Sequence, residues 1–156
     1  MEDVHFEVTD PMSADAQAAM AAYFAELDRR FPGGFDHGDA LSTAGHTYRP
    51  PAGVFVFARG ADDRVLGCGA VQFLDERTGE VKRMWVGEHA RGMGLGRRLL
   101  AHLEGLVAAN GCERVVLDTN GTLSEAIAMY GTAGYHEVAP YNDNPYAQHW
   151  FEKPLP

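Results

Sequence analysis

The run Arg91-Gly92-Met93-Gly94-Leu95-Gly96-Arg97 sets three glycines at alternate positions between a β-patterned segment and a leucine-periodic one. Glycines at such a junction let several backbone N–H groups converge beside the unpaired donors and positive dipole end of a helix, a cradle that binds phosphate. Spacing excludes two phosphate motifs. A dinucleotide fingerprint starting at Gly92 needs glycine at position 97, which is Arg97, and a P-loop needs Gly-Lys followed by Ser or Thr. The charge pattern points the same way. Of 13 basic residues, Lys82, Arg83, Arg91, Arg97 and Arg98 fall between positions 82 and 98, where Glu88 is the one acid. A local charge of +4 inside a chain of net charge -9 suits a compact polyphosphate ligand, although a solvated helix start gives the same pattern.

Other chemistries find little support. The acidic balance disfavours nucleic acid and anionic membrane surfaces as partners. Cys68 and Cys112 lack CxxC spacing, and the seven histidines are scattered without ligand spacing, so neither a metal site nor a disulfide framework is expected. The start Met1-Glu2-Asp3 has no basic region followed by an apolar one, and no apolar run approaches ~20 residues, which leaves no signal peptide or membrane span. A cytoplasmic location fits. At 156 residues the chain is expected to be one domain, 1–156, able to bury roughly two-thirds of its unfolded surface.

The elements that must position the glycine loop can be read from periodicity. Val4 to Val8 alternates as a short strand, broken by Thr9-Asp10-Pro11. Met20, Tyr23, Phe24, Leu27 and Phe31 recur at helical spacing, predicting a core-facing helix over 13–30 with Ser13 as N-cap. Residues 33–53 have no sustained period and read as a long loop, or a short helix plus loop. Three antiparallel strands follow at 54–58, 65–74 and 80–86, joined by turns at 60–63 and 76–79. Leu95, Leu99, Leu103 and Leu106 mark a helix to Asn110 with Gly111 beyond it, and 114–118 is a buried strand reached by a parallel crossover. Thr122-Leu123-Ser124-Glu125 fits a capping box for a helix that stops at Gly134, and strands at 135–138 and 149–153 close the sheet. The expected class is α/β, a three-layer arrangement around a mixed sheet.

With its flanks, Arg91-x-x-Gly94-x-Gly96 resembles motif A of the GNAT superfamily of N-acetyltransferases. Ala126-Ile127-Ala128-Met129-Tyr130 followed by Gly134-Tyr135 is similar to that family's motif B, and the element order matches, so the resemblance spans most of the chain. It implies a three-layer αβα sandwich with a mostly antiparallel sheet of six to seven strands, splayed at its two central parallel strands, 80–86 and 114–118. It also implies acetyl-CoA as cosubstrate. The pyrophosphate would lie on Arg91, Gly92, Met93, Gly94, Leu95, Gly96 and Arg97, and the pantetheine arm along the backbone of Met84, Trp85 and Val86. Many members carry asparagine seven residues before the motif B tyrosine. That position here is Leu123, and Asn120 is the substitute.

Attack of an amine on a thioester needs a neutral nucleophile, a donor to the developing oxyanion and a proton for the leaving thiolate. Tyr130, at the family's general-acid position, would supply that proton, and a backbone N–H in 84–86 would polarise the carbonyl. Glu80 is the first candidate base, placed by strand alternation on the same face as Lys82 and Met84. Asp118, at the end of the next parallel strand, is its rival. Acceptor selectivity is expected from 33–51 and 139–149, which hold Asp36, Asp39, Tyr141, Asp143, Tyr146 and His149. Acids and aromatics there suit a cationic amine. The resulting expectation is transfer of an acetyl group from acetyl-CoA to the primary amine of a small molecule. A peptide or protein acceptor, or an acyl-CoA sensor without turnover, stands as the alternative. Members of the family are often homodimers.

Overall fold

The computed structural model describes residues 3–156; Met1 and Glu2, on which the reading of the N-terminus rests, lie outside the described residues. Strand β1 (Val4–Thr9) leads to helices α1 (Ala14–Arg30) and α2 (Ala40–Tyr48), then to the meander β2 (Gly53–Gly60), β3 (Val65–Phe73) and β4 (Thr78–Val86). A 3-10 turn (Glu88–Ala90) precedes α3 (Leu95–Ala109), β5 (Arg114–Thr119), α4 (Ser124–Thr132), β6 (His136–Val138) and β7 (His149–Pro154). The sheet order is β1-β2-β3-β4-β5-β7-β6, with β4 and β5 its parallel pair. No described helix is long and apolar enough to cross a membrane.

Strand alternation builds the layers. Val54 and Val56 face α3 and α4, while Phe55 and Phe57 face α1 and α2, and all four are buried. Helix α1 starts where Ser13 Oγ accepts the Ala16 N–H at 3.1 Å, and it buries Met20, Phe24 and Leu27 of the predicted stripe and Ala16 besides, while Tyr23 of that stripe is half-buried. Helix α2 resolves the aperiodic stretch. Only Ala44 and Tyr48 of it are buried, too few to make a readable period, and the Ser42 and Thr43 hydroxyls both donate to the Asp39 carbonyl at 3.0 Å. Helix α3 sits close on the sheet because β3 and β4 present glycines beneath it. A Cβ at Gly69 would lie 2.7 Å from Leu103 Cδ1, and one at Gly79 would lie 2.7 Å from both Val107 methyls.

Two sequence expectations need correction. The capping box does not form at α4, whose N-cap is Leu123 with no side-chain bond. Its two polar members have stronger partners: Thr122 Oγ1 donates to Asn120 Oδ1 at 2.8 Å, and Glu125 meets the Arg30 guanidinium at 2.6 Å. Met84, in turn, does not share a face with Glu80 and Lys82. Cys68 pairs with Trp85 but Ala70 pairs with Lys82, so β4 carries one extra residue, and Arg83 takes a left-handed φ of 57° there. This bulge reverses the alternation, sending Met84 to the α3/α4 side and Trp85 to the α1/α2 side.

Candidate active site

Strands β4 and β5 pair only at Thr78 with Arg114, Gly79 with Val115, and Glu80 with Val116. From Val81 onward the β5 side of β4 has no strand partner, so the sheet opens as a wedge. The glycine loop crosses its mouth. Gly92 (φ 83°) and Gly94 (φ 74°) adopt the left-handed conformation, and a Cβ at either would meet nothing within 4 Å, so the requirement is conformational and not steric. Gly94 is the N-cap of α3 and offers no side-chain acceptor. The first N–H groups of α3 are therefore open to a ligand, backed by the positive end of its dipole.

A groove of about 570 Å³ runs from this loop along β4 between α1 and α4, lined by Met84, Trp85, Val86, Arg91, Gly92, Gly94, Leu95, Gly96 and Arg97 among others. Met93 turns away from it and packs against the cluster of Ala58, Leu66, Ala90 and Leu95. The Arg91 guanidinium lies across the groove, donating from Nε to the Val86 carbonyl at 3.0 Å and pairing through Nη2 with Glu26. Glu26 also accepts from Trp85 Nε1 at 3.3 Å and faces Arg30 at 3.4 Å. Arg97 donates to the Thr132 hydroxyl. Arg30 continues the strap to Glu125 and to the Thr122 carbonyl, tying α1 to the start of α4.

A second cavity of about 550 Å³ lies further into the wedge. Tyr23, Leu27, Met84, Leu123, Ala126 and Tyr130 line both spaces, so the two meet at these side chains. Tyr130 is 7% exposed, and among the described residues its hydroxyl makes no hydrogen bond. Burial pushes this phenol well above the ordinary tyrosine value, with smaller contributions from Tyr23 and Asp118, and keeps it protonated at neutral pH. Its ring is fixed by Tyr135 at 5.9 Å and Phe151 at 6.0 Å.

The carboxylates divide. Asp118 lines the second cavity, its Oδ2 accepting from Asn142 Nδ2 at 2.7 Å and its Oδ1 from Asn144 Nδ2 at 3.3 Å. Glu80, 3% exposed, lines neither space. Its oxygens are held by the Tyr141 hydroxyl at 2.6 Å, Asn142 Nδ2 at 3.5 Å and Lys82 Nζ at 3.4 Å. Asn142 Oδ1 in turn accepts from Trp150 Nε1 at 3.0 Å. The segment between β6 and β7 is thus bolted to the ends of β4 and β5.

Of the acceptor-side residues read from sequence, Tyr146 and Asp36 line the second cavity, Tyr141 reaches Glu80, and Asp143 is exposed and lines neither space. His149 pairs with Glu137 at 2.7 Å. Asn120 lines the second cavity and not the phosphate groove; its amide donates to the Tyr146 carbonyl at 2.8 Å, and its oxygen accepts from the Thr122 backbone and hydroxyl. Sequence reasoning passed over Tyr23, Glu26 and Arg30, and it counted Arg83 with the phosphate-side basic residues although Arg83 lines the second cavity. Tyr23 was absorbed by the apolar stripe, and Glu26 and Arg30 reach the site only through tertiary contacts.

The acetyltransferase (GNAT) family model matches residues 20–135. An IAA acetyltransferase of Azospirillum brasilense is 34% identical over 156 residues, covering 95% of this chain and 98% of that protein. Two solved structures share the fold. A Staphylococcus aureus acetyltransferase of the GNAT family has a TM-score of 0.84 at 15% identity, covering 99% of this chain and 100% of that one. A GNAT family acetyltransferase from Elizabethkingia anophelis with acetyl-CoA bound has a TM-score of 0.71 at 14% identity, covering 97% and 98%.

Proposed function

Because the chain belongs to the acetyltransferase (GNAT) family, we propose that it acetylates the primary amine of a small molecule by direct attack on acetyl-CoA, the family's cosubstrate. The residues present fit that cosubstrate. The groove offers open helix N–H groups, two left-handed glycines and the cations Arg91 and Arg97, a donor set suited to a pyrophosphate. Acetyl-CoA supplies an acyl group already activated as a thioester.

The observation that carries the proposal is the meeting of the two cavities at Tyr130, a buried phenol with an unengaged hydroxyl. Its Oη holds the proton destined for the departing sulfur. Asp118 is a carboxylate of the acceptor cavity that shares its wall with Tyr130. With one amide donor on each oxygen it keeps lone pairs free to take the proton of the incoming ammonium. Glu80 has the supporting role: it orients Tyr141, Asn142 and Lys82 and acts on the amine through them. Met84 to Val86 run along the unpaired side of β4, where their backbone can align the acyl arm.

A small acceptor is supported by the size of the second cavity, about 550 Å³ and walled in part by Phe31, Phe35 and Tyr146, and by the name of the 34% identical relative, IAA acetyltransferase. The reaction is assigned to the cytoplasm, where free thiols such as the buried Cys68 and Cys112 persist. Calorimetric titration with acetyl-CoA and CoA, followed by thiol release across an amine panel, tests the proposal. Binding with thiol release is the expected result. Absence of acetyl-CoA binding overturns it, and binding without release from any small amine removes the small-molecule acceptor.

A further inference from the structure

Two basic side chains from β4, Lys82 and Arg83, line the acceptor cavity. Lys82 has its counterion, Glu80, at 3.4 Å. Arg83 has none among the described residues. Its guanidinium carbon lies 5.1 Å from the Phe24 ring centroid and 5.6 Å from that of Tyr48, and its Nε is buried without a hydrogen-bond partner. Aromatic faces hold a guanidinium in place but accept none of its five N–H bonds.

Neither carboxylate of the cavity wall, Asp118 or Asp36, forms an ion pair with Arg83. Asp118 binds Asn142 and Asn144, and Asp36, exposed at the rim, accepts the Gly38 N–H at 2.8 Å. The backbone, moreover, works to put Arg83 where it is. A left-handed φ of 57° on a side-chain-bearing residue is uncommon, and it occurs here at the bulge that aims residue 83 into the α1/α2 side of the wedge. A partly buried cation with open donors, in a chamber walled by aromatic rings together with Lys82, Asp36, Asp118, Asn120 and Asn144, is complementary to an anion that the described residues do not supply. Arginine's fork matches a carboxylate in bidentate geometry.

We propose that Arg83 anchors a carboxylate on the acceptor, making the acceptor class an amino acid with an apolar or aromatic side chain. The amine would lie toward Asp118 and Tyr130, the carboxylate on Arg83, and the side chain against Phe31, Phe35 and Tyr146, whose rings lie 4.6 to 6.0 Å apart. This assignment rests on the acetyltransferase reading above, and it replaces the cationic acceptor expected from the acidic loops with one carrying a negative group.

The test compares phenylalanine with phenethylamine, which differ only in the carboxylate. The full-length enzyme is expected to prefer phenylalanine by about tenfold or more in kcat/KM, mainly through KM. Arg83→Met should abolish that preference, lowering kcat/KM far more for phenylalanine than for phenethylamine, and Arg83→Lys should restore part of it. Equal kcat/KM for the two amines, or a preference that survives Arg83→Met, overturns the proposal. A readout free of turnover separates it from the catalytic reading: titration of the CoA-loaded protein with 3-phenylpropionate and with 3-phenylpropionamide. Preference for the anion, lost in Arg83→Met, supports the anchor even if no amine is acetylated. Equal or absent binding of the two probes to the unmutated protein overturns it, whatever the variants do.

Discussion

The Tyr141 hydroxyl donates a 2.6 Å hydrogen bond to Glu80, joining the segment that closes the fold to a carboxylate buried at the base of the wedge. Burial and the adjacent carboxylate both hold the phenol far above its ordinary range, so the proton stays on Tyr141. Tyr141→Phe leaves Glu80 Oε2 with only the 3.5 Å contact to Asn142. A loss of about 1–3 kcal/mol is expected, seen as a lower unfolding midpoint in thermal denaturation, with acetyl-CoA affinity unchanged. An unchanged midpoint would show that the bond does not hold the segment.

Tyr130→Phe removes a hydroxyl that has no hydrogen bond among the described residues. Stability and acetyl-CoA affinity should therefore stay as they are, while turnover falls by about 10²- to 10⁴-fold. Steady-state rates beside a calorimetric Kd decide the matter. Retained turnover would remove Tyr130 from the chemistry.

Asp118→Asn and Glu80→Gln should separate the two carboxylates. The first is expected to lower kcat/KM by about 10²-fold or more. The second should mainly lower the unfolding midpoint, since it disturbs Tyr141, Asn142 and Lys82 together. A reversed pattern would return the base to Glu80.

Arg91 and Glu26 lie in the same groove and hold each other. Arg91→Ala should weaken CoA binding, since it deletes a cation beside the glycine loop. Glu26→Gln should strengthen it by up to about fivefold, because a partly exposed ion pair is worth roughly 1 kcal/mol at most and the mutation also removes a negative charge from an anion site. Both effects should shrink as salt is raised, which titrations at two ionic strengths will read.

His102 stacks on Phe6 at 4.7 Å, between α3 and β1, and burial lowers its pKa below 6.5. The folded state thus favours the neutral ring, so this contribution is complete above about pH 6.5 and is lost as pH falls through the lowered value. The unfolding midpoint should drop as pH falls below about 6.5 in the wild type and be flatter in His102→Phe, which keeps the stack. The depressed carboxylates Asp10, Asp75 and Glu125 act at lower pH and do not enter that window.

The parts legible in the sequence were those written in local spacing. The glycine loop needs its residue types in order, the α1 stripe from Met20 to Phe31 repeats for about three turns, and Tyr130 follows from the second motif; each lies where the chain pattern puts it. The rest was hidden for physical reasons. A bulge is one inserted residue, and Lys82-Arg83-Met84-Trp85 reads as an ordinary alternating strand with or without it, so the facing of Met84 came out inverted. Thr122 and Glu125 satisfy the capping pattern, yet partners far along the chain outbid the helix terminus. Glu26 and Arg30 read as the solvated face of an amphipathic helix, and only the packing of α1 beside the wedge turns that face into a wall of the groove.

Three ladder pairs join β4 to β5 in a sheet of seven strands, which makes two leaves, one of four strands and one of three, meeting along a short spine. Both cavities open from that spine and share six wall residues. A small rotation of one leaf against the other would therefore widen or narrow the two chambers together, so that what fills the first also sets the fit of the second.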